Sequence, residues 1–179
     1  NQVMAHLVAR QIGIDAGHRI MTHGSKCRHI HGHRYTIEAM CSDTENQLHK
    51  SGDQTDMVLD FGFLKKEMLL HIDEPCDHGF ITAQNDVEVL KMFAPSEREF
   101  SEWLDWVQGE VARIGHCATE DTNLRSKLYV LDAQPTAECL ARHWFMRLKE
   151  PIRDRSDGLA KLLTLRVWET PNCWGEYSE

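Results

Sequence analysis

The chain has few prolines, no low-complexity run and no internal repeat, and no apolar stretch approaches the ~20 residues that cross a bilayer. It has no excess of positive charge either: Lys and Arg number 20 against 28 Asp and Glu, a net charge of −8. Binding to nucleic acid or to an anionic membrane depends on clustered Lys and Arg, so neither partner is expected. No signal-peptide pattern opens the chain, and a start at Asn1 without Met implies that a few residues precede it. Six cysteines, Cys27, Cys41, Cys76, Cys117, Cys139 and Cys173, form no C-x-x-C pair. In a chain of 179 residues, large enough to bury a core without covalent staples, they read as reduced thiols of a cytoplasmic protein.

Against these absences stands one surplus, 11 histidines. Three of them fall in Lys26-Cys27-Arg28-His29-Ile30-His31-Gly32-His33-Arg34-Tyr35, which runs into the alternating segment Tyr35-Thr36-Ile37-Glu38-Ala39-Met40-Cys41. The period of two predicts a half-buried strand. If that strand begins at His31, the spacing of His31 and His33 points both rings to one face. Gly32 between them leaves the other face bare, as happens where a second backbone comes close. Two imidazoles side by side make half of a zinc site. His18, at the end of an expected first strand pairing with the second, is the candidate third ligand. Three neutral imidazoles leave a coordination position open, the arrangement of catalytic zinc, whereas Cys27 as a fourth ligand would make the site structural. Simple surface histidines are the remaining alternative.

Elsewhere the pattern predicts a first strand within 2–14, with Val3, Ala5, Leu7 and Ala9 alternating, and a second over 33–42. A polar loop spans 42–55. Asp60 caps a helix whose face is Phe61, Leu64, Met68, Leu69 and Ile72, ended by Pro75. Residues 82–126 read as mostly helical, with Phe100, Trp103, Leu104, Val107, Val111 and Ile114 at helical spacing, the tryptophans as packing residues. A short strand follows at 127–132. Pro135-Thr136-Ala137-Glu138 opens a helix carrying Leu140, Trp144 and Leu148, with Pro135 in its first turn. A late strand shares Leu163, Leu165, Val167 and Glu169 on one face, and a last strand lies near 173–178. Segregated strands and helices imply an α+β layer, an antiparallel sheet with helices on one face.

Cys27-x-x-x-His31-Gly32-His33 with the upstream Ala-Gly-His18-Arg resembles the 6-pyruvoyl-tetrahydropterin synthase superfamily. Val58-Leu59-Asp60-Phe61, Asp77-His78, Pro135-Thr136-Ala137-Glu138 and Trp168-Glu169-Thr170 are similar to its other landmarks, in the same order, across residues 3–82 and 127–176. The three-residue gap after Cys27 is similar to the queuosine-pathway branch, 6-carboxy-5,6,7,8-tetrahydropterin synthase; the animal pyruvoyl-forming branch tends to a longer gap. The resemblance implies the tunnelling fold: a four-stranded antiparallel sheet backed by two helices, assembled as a homohexamer of two trimers. It implies Zn2+ on His18, His31 and His33, and a pterin triphosphate substrate cleaved by a lyase. Cys27 would be the proton-transfer base. Asp77 and His78 would form a second relay, with Glu169 gripping the pterin ring and joining the relay. Thr136 and Glu138 would line the same pocket, although first-turn dipole stabilisation accounts equally for Glu138. Pyruvoyl formation, or another side-chain cleavage on the same fold, is the nearest alternative; a zinc-stabilised assembly or binding protein is the non-enzyme one. The chain departs from the pattern in an expected mostly helical insertion at about 82–130, within one domain, and in Cys76 where a leucine commonly precedes Asp-His.

Overall fold

The computed structural model describes residues 5–179; Val3, expected in the first strand, lies outside them. Strand β1 (Leu7–His18) pairs antiparallel along its whole length with residues 31–42 of strand β2 (His31–Asp43). β2 pairs with β6 (Ala160–Thr170), and β6 with β7 (Cys173–Ser178), also antiparallel. These four strands are the expected sheet. Three more extend it: β3 (Gly79–Ala83), β4 (His116–Thr119) and β5 (Leu128–Leu131), in the order β4-β5-β3-β1-β2-β6-β7. β3 is parallel to β1 and to β5, so the sheet is mixed.

The inner face carries Ile12, Ile14, Ala16 and His18 from β1 and Tyr35, Ile37, Ala39 and Cys41 from β2. The expected alternation of Leu7 and Ala9 falls on the wrong parity: both are exposed, and the even residues point inward. In the same way, Leu162 rather than Leu163 joins Leu165 and Val167 in the core. A register shift at Met40/Cys41 absorbs one residue of β6 and flips the parity below it.

Helix α1 (Phe61–Met68) starts at Asp60, whose carboxylate accepts the Gly62 N–H at 2.6 Å. Its buried side is Leu64 and Met68, while Phe61 faces solvent. The helix widens into a π turn over Leu69–Asp73, just ahead of Pro75, which has no N–H to contribute, and ends as the short α2 (Glu74–Cys76). The long helix α5 (Ala137–Arg155) lies beside it, and Leu140, Trp144 and Leu148 are fully buried against the sheet. Pro135 lies one residue ahead of the N-cap, Thr136, rather than in the first turn.

Residues 82–130 supply α3 (Val87–Phe93), α4 (Phe100–Ile114), β4 and most of β5. α3 and α4 bury Val89, Leu90, Trp103, Val107 and Val111 against Phe80, Cys117, Leu128 and Val130. Tyr129, Leu131 and Ile81, of opposite parity, belong to the core beneath α1 and α5. β3 and β5 are therefore covered on both faces, which explains why Leu128-Tyr129-Val130-Leu131 is an unbroken buried run rather than an alternating one. No helix among the described residues is long and apolar enough to cross a membrane.

Candidate metal centre

The antiparallel register places His18 directly opposite His31, Gly17 opposite Gly32 and Ala16 opposite His33. The two glycines let the strands close at this point. A Cβ on Gly32 would stand 3.0 Å from the Ala16 carbonyl oxygen, and one on Gly17 would meet the Phe80 ring at 2.8 Å. The three imidazoles then converge, with ring centroids 4.6, 5.0 and 4.9 Å apart and planes steeply inclined. Their coordinating nitrogens lie within 4.8 Å of one another.

The back nitrogens fix the tautomers. His18 Nδ1 donates to the Pro135 carbonyl at 2.9 Å, and His31 Nδ1 donates to the His29 carbonyl at 2.7 Å. A carbonyl only accepts, so in each neutral ring Nε2 carries the lone pair. These two Nε2 atoms face each other at 3.1 Å. Two lone pairs at that distance repel unless a cation or a proton lies between them, so the donor set fits a metal. Burial holds His18 unprotonated, bringing its pKa down to about 4, against the Pro135 hydrogen bond and with help from His31 and His33. Burial also lowers His33. Rings already free of protons bind a divalent ion with little competition near neutral pH.

Tyr35 stands beneath this group, its ring 5.5 Å from His33 and 5.9 Å from His18. Its buried hydroxyl has no partner, and burial followed by the charge of Glu169 pushes its pKa up. The charge of Glu169 also opposes the effect of burial on His33. Glu169 sits in a register irregularity: Trp168 faces Trp174 and Thr170 faces Cys173, which leaves it without a partner on β7. Such a bulge re-aims a side chain.

Cys27 lies in a single 3-10 turn, Lys26–Arg28, and is half-buried. Its carbonyl accepts the Ile20 N–H at 2.8 Å, which ties this turn to the chain two residues beyond His18. Its sulfur is outside the coordinating cluster. Asp77 and His78 gather separately, with Asp15. Asp77 accepts the Asp15 N–H at 2.9 Å through one oxygen and His78 Nδ1–H at 2.9 Å through the other. Burial works against the Asp77 carboxylate, but the Asp15 and His78 hydrogen bonds outweigh it and bring its pKa below the usual range. His78 adopts φ 60°, a left-handed conformation held by its N–H on the Asp15 carbonyl at 2.7 Å. His33 and His78 nevertheless line one shallow cleft of about 390 Å3, with Asp15 and Arg34.

Thr136 spends its hydroxyl on the α5 cap, accepting the Cys139 N–H at 3.2 Å. Glu138 is exposed, and its carboxylate lies against Gly175 of β7, 3.1 Å from where a Cβ would stand. Sequence reasoning missed the Pro135 and His29 carbonyls, because backbone acceptors carry no residue signature. It also missed Asp15 and the orphan hydroxyl of Tyr35, which only the pairing reveals.

Residues 7–179 match the family described as 6-pyruvoyl tetrahydropterin synthase. A 6-carboxy-5,6,7,8-tetrahydropterin synthase of Rickettsia conorii is 32% identical over 169 residues, covering 93% of this chain and 96% of that protein. The Haemophilus influenzae protein of the same name is 31% identical over 172 residues, covering 96% and 98%. Among solved structures, an uncharacterized protein of Wolinella succinogenes superimposes with a TM-score of 0.68 at 20% identity, covering 97% and 98% of the two chains. The 6-pyruvoyl tetrahydropterin synthase of Caenorhabditis elegans does so with 0.55 at 20% identity, covering 99% of each. With a full-length family match and relatives above 30% identity, this chain belongs to the 6-pyruvoyl tetrahydropterin synthase family.

Proposed function

We propose that the chain is a zinc-dependent lyase acting on 7,8-dihydroneopterin triphosphate, with water, to give 6-carboxy-5,6,7,8-tetrahydropterin, acetaldehyde and triphosphate. The observation that carries the reading is the anchored triad, His18 and His31 with back nitrogens on carbonyls and Nε2 atoms converging, and His33 beside them. The printed names of the relatives supply the reaction type.

His18, His31 and His33 would hold the ion, which when bound supplies Lewis acidity toward the substrate's side-chain oxygens. Cys27 removes and returns a proton at the side-chain carbon. It stands outside the ligand cluster, on a turn tied to the strand that carries His18, so its sulfur is free for that work. Asp77 orients the His78 ring through Nδ1, which leaves Nε2 to pass a second proton. Glu169, turned inward by its bulge, accepts two N–H groups of the pterin's guanidine-like edge. Thr136 and Glu138 border that pocket: Thr136 fixes the start of α5 beside Pro135, and Glu138 reaches toward β7. His78 is largely exposed and shares only a shallow cleft with His33. A site completed by neighbouring copies, in a hexamer of two trimers, accounts for both features. Residues 82–130 are an insertion within a single domain, and the protein works in the cytoplasm in the queuosine precursor pathway.

The test is a product assay on zinc-loaded protein paired with Cys27→Ala. The expected products are 6-carboxytetrahydropterin and acetaldehyde. The variant is expected to keep its zinc while turnover falls by ~10²–10⁴-fold, the usual share of a positioned acid–base group. Pyruvoyl-tetrahydropterin without acetaldehyde would place the chain in the other branch. Zinc lost along with the thiol would make Cys27 a ligand and end this mechanism.

A further inference from the structure

A second group of polar side chains lies between the π turn, β4 and α5, and shares no residue with the histidine triad. At its centre is Arg147. Its Nη2 donates to His71 Nδ1 at 3.2 Å, and its Nε is buried without a partner. The other His71 nitrogen faces Glu67 at 3.3 Å, and Glu67 is itself bound by Arg155 at 2.9 Å. The one carboxylate in this chain of contacts is therefore already shared, one imidazole away from Arg147.

Lys127 is the second cation. Its Nζ donates to the carbonyls of Glu74 and Asp77, each at 2.8 Å, and not to a carboxylate. Among the described residues neither Arg147 nor Lys127 forms an ion pair. Both line one cavity of about 570 Å3, together with His116, which is 7% exposed and has an unpartnered Nδ1. Glu74 and Glu120 also line it, without pairing with either cation. Cations taken partly out of water are normally matched by a counter-charge, because leaving them unmatched is costly. Here the two glutamates stay unpaired with either cation, so the guanidinium and the ammonium keep donors for an incoming anion.

We propose that this cavity is a binding site for a phosphate-class oxyanion, held between the Arg147 guanidinium, the Lys127 ammonium and the His116 ring. Guanidinium and ammonium groups are the usual partners of phosphoryl oxygens, the first through its planar fork and the second as a point charge. The apolar walls from Leu70 and Pro75, and a volume well beyond that of a single phosphate, suit an anion carried on a larger body or a polyphosphate. Burial lowers the pKa of His71, His116 and His143, and the charge of Arg147 adds to it at each ring.

The experiment is calorimetric titration of the metal-loaded protein with inorganic phosphate and, separately, with triphosphate, at constant ionic strength. The tighter of the two identifies the source. Arg147→Gln and Lys127→Gln are each expected to weaken binding at least tenfold. Lys127, at the rim, keeps the test open if the Arg147 variant folds poorly. His33→Ala removes a ring of the triad and leaves the cavity untouched, and is expected to keep the binding that the two cleft variants lose. Binding of neither anion overturns the assignment. So does binding that both cleft variants keep and the His33 variant loses, which would place the anion at the triad.

Discussion

His18, His31 and His33 differ from His71, His116 and His143 in what holds their nitrogens. In the first group two back nitrogens rest on backbone carbonyls, and the front nitrogens meet one another. In the second group side chains engage two of the rings: His71 lies between Arg147 and Glu67, and His143 is hydrogen-bonded to the Tyr129 hydroxyl. His116 stacks on Tyr129 with ring centroids 5.1 Å apart. Burial lowers the pKa of His18 and His33 just as it does that of His71, His116 and His143, so burial does not separate a ligand set from a packed polar cluster. Convergence of anchored, unoccupied nitrogens does.

The largest effect that would break this contrast is removal of a converging ring. His31→Ala is expected to lower zinc affinity by more than the 10–100-fold typical of losing an outer partner. His143→Phe is expected to leave zinc binding unchanged, and chelator competition measures both. A pH series sharpens the contrast next. Burial, then the charges of their neighbours, bring His116 to about 4 and His143 to about 3, both from an ordinary 6.5. The unfolded chain therefore takes up protons first as pH falls. The stability these rings contribute is complete above about pH 6.5 and is lost progressively toward pH 3–4, a loss on the order of a few kcal/mol. Denaturant melts between pH 7 and 4 follow it, and an apo protein equally stable at both ends would contradict it.

Smaller still is Tyr129→Phe. Leaving His143 Nε2 unpartnered is expected to destabilise by about 1–3 kcal/mol, with zinc content unchanged, read from a paired melt and metal analysis. The smallest effect belongs to Arg166→Met on β6. It removes an exposed ion pair with Glu176 and a contact 3.8 Å from the Trp174 ring, and is expected to cost no more than about 1–2 kcal/mol in the same melts.

How far the sequence could be read follows from range. The triad lies in two strands that pair directly, and the spacing of His31 and His33 places two rings on one face, so residue types alone pointed to it. Helices α4 and α5 declared themselves by the recurrence of Trp103, Val107 and Val111, and of Leu140, Trp144 and Leu148. β3 did not, because a five-residue strand covered on both faces carries no alternation, and β4 did not, because four residues at the sheet edge are too short a run to show one. The inward face of β6 was misread by one residue, since a bulge leaves no trace in the residue pattern. His71, His116 and His143 come from three separate elements, and no local spacing announces their meeting.

Everything proposed for the triad requires that three imidazoles hold one ion with a position left open and no sulfur bound. X-ray absorption at the zinc edge of the purified, metal-loaded protein measures this directly. An open site of three imidazoles gives a shell of nitrogen and oxygen atoms at ~2.0–2.1 Å with imidazole outer-shell scattering. A sulfur shell at ~2.3 Å would contradict it, placing Cys27 on the metal and closing the site.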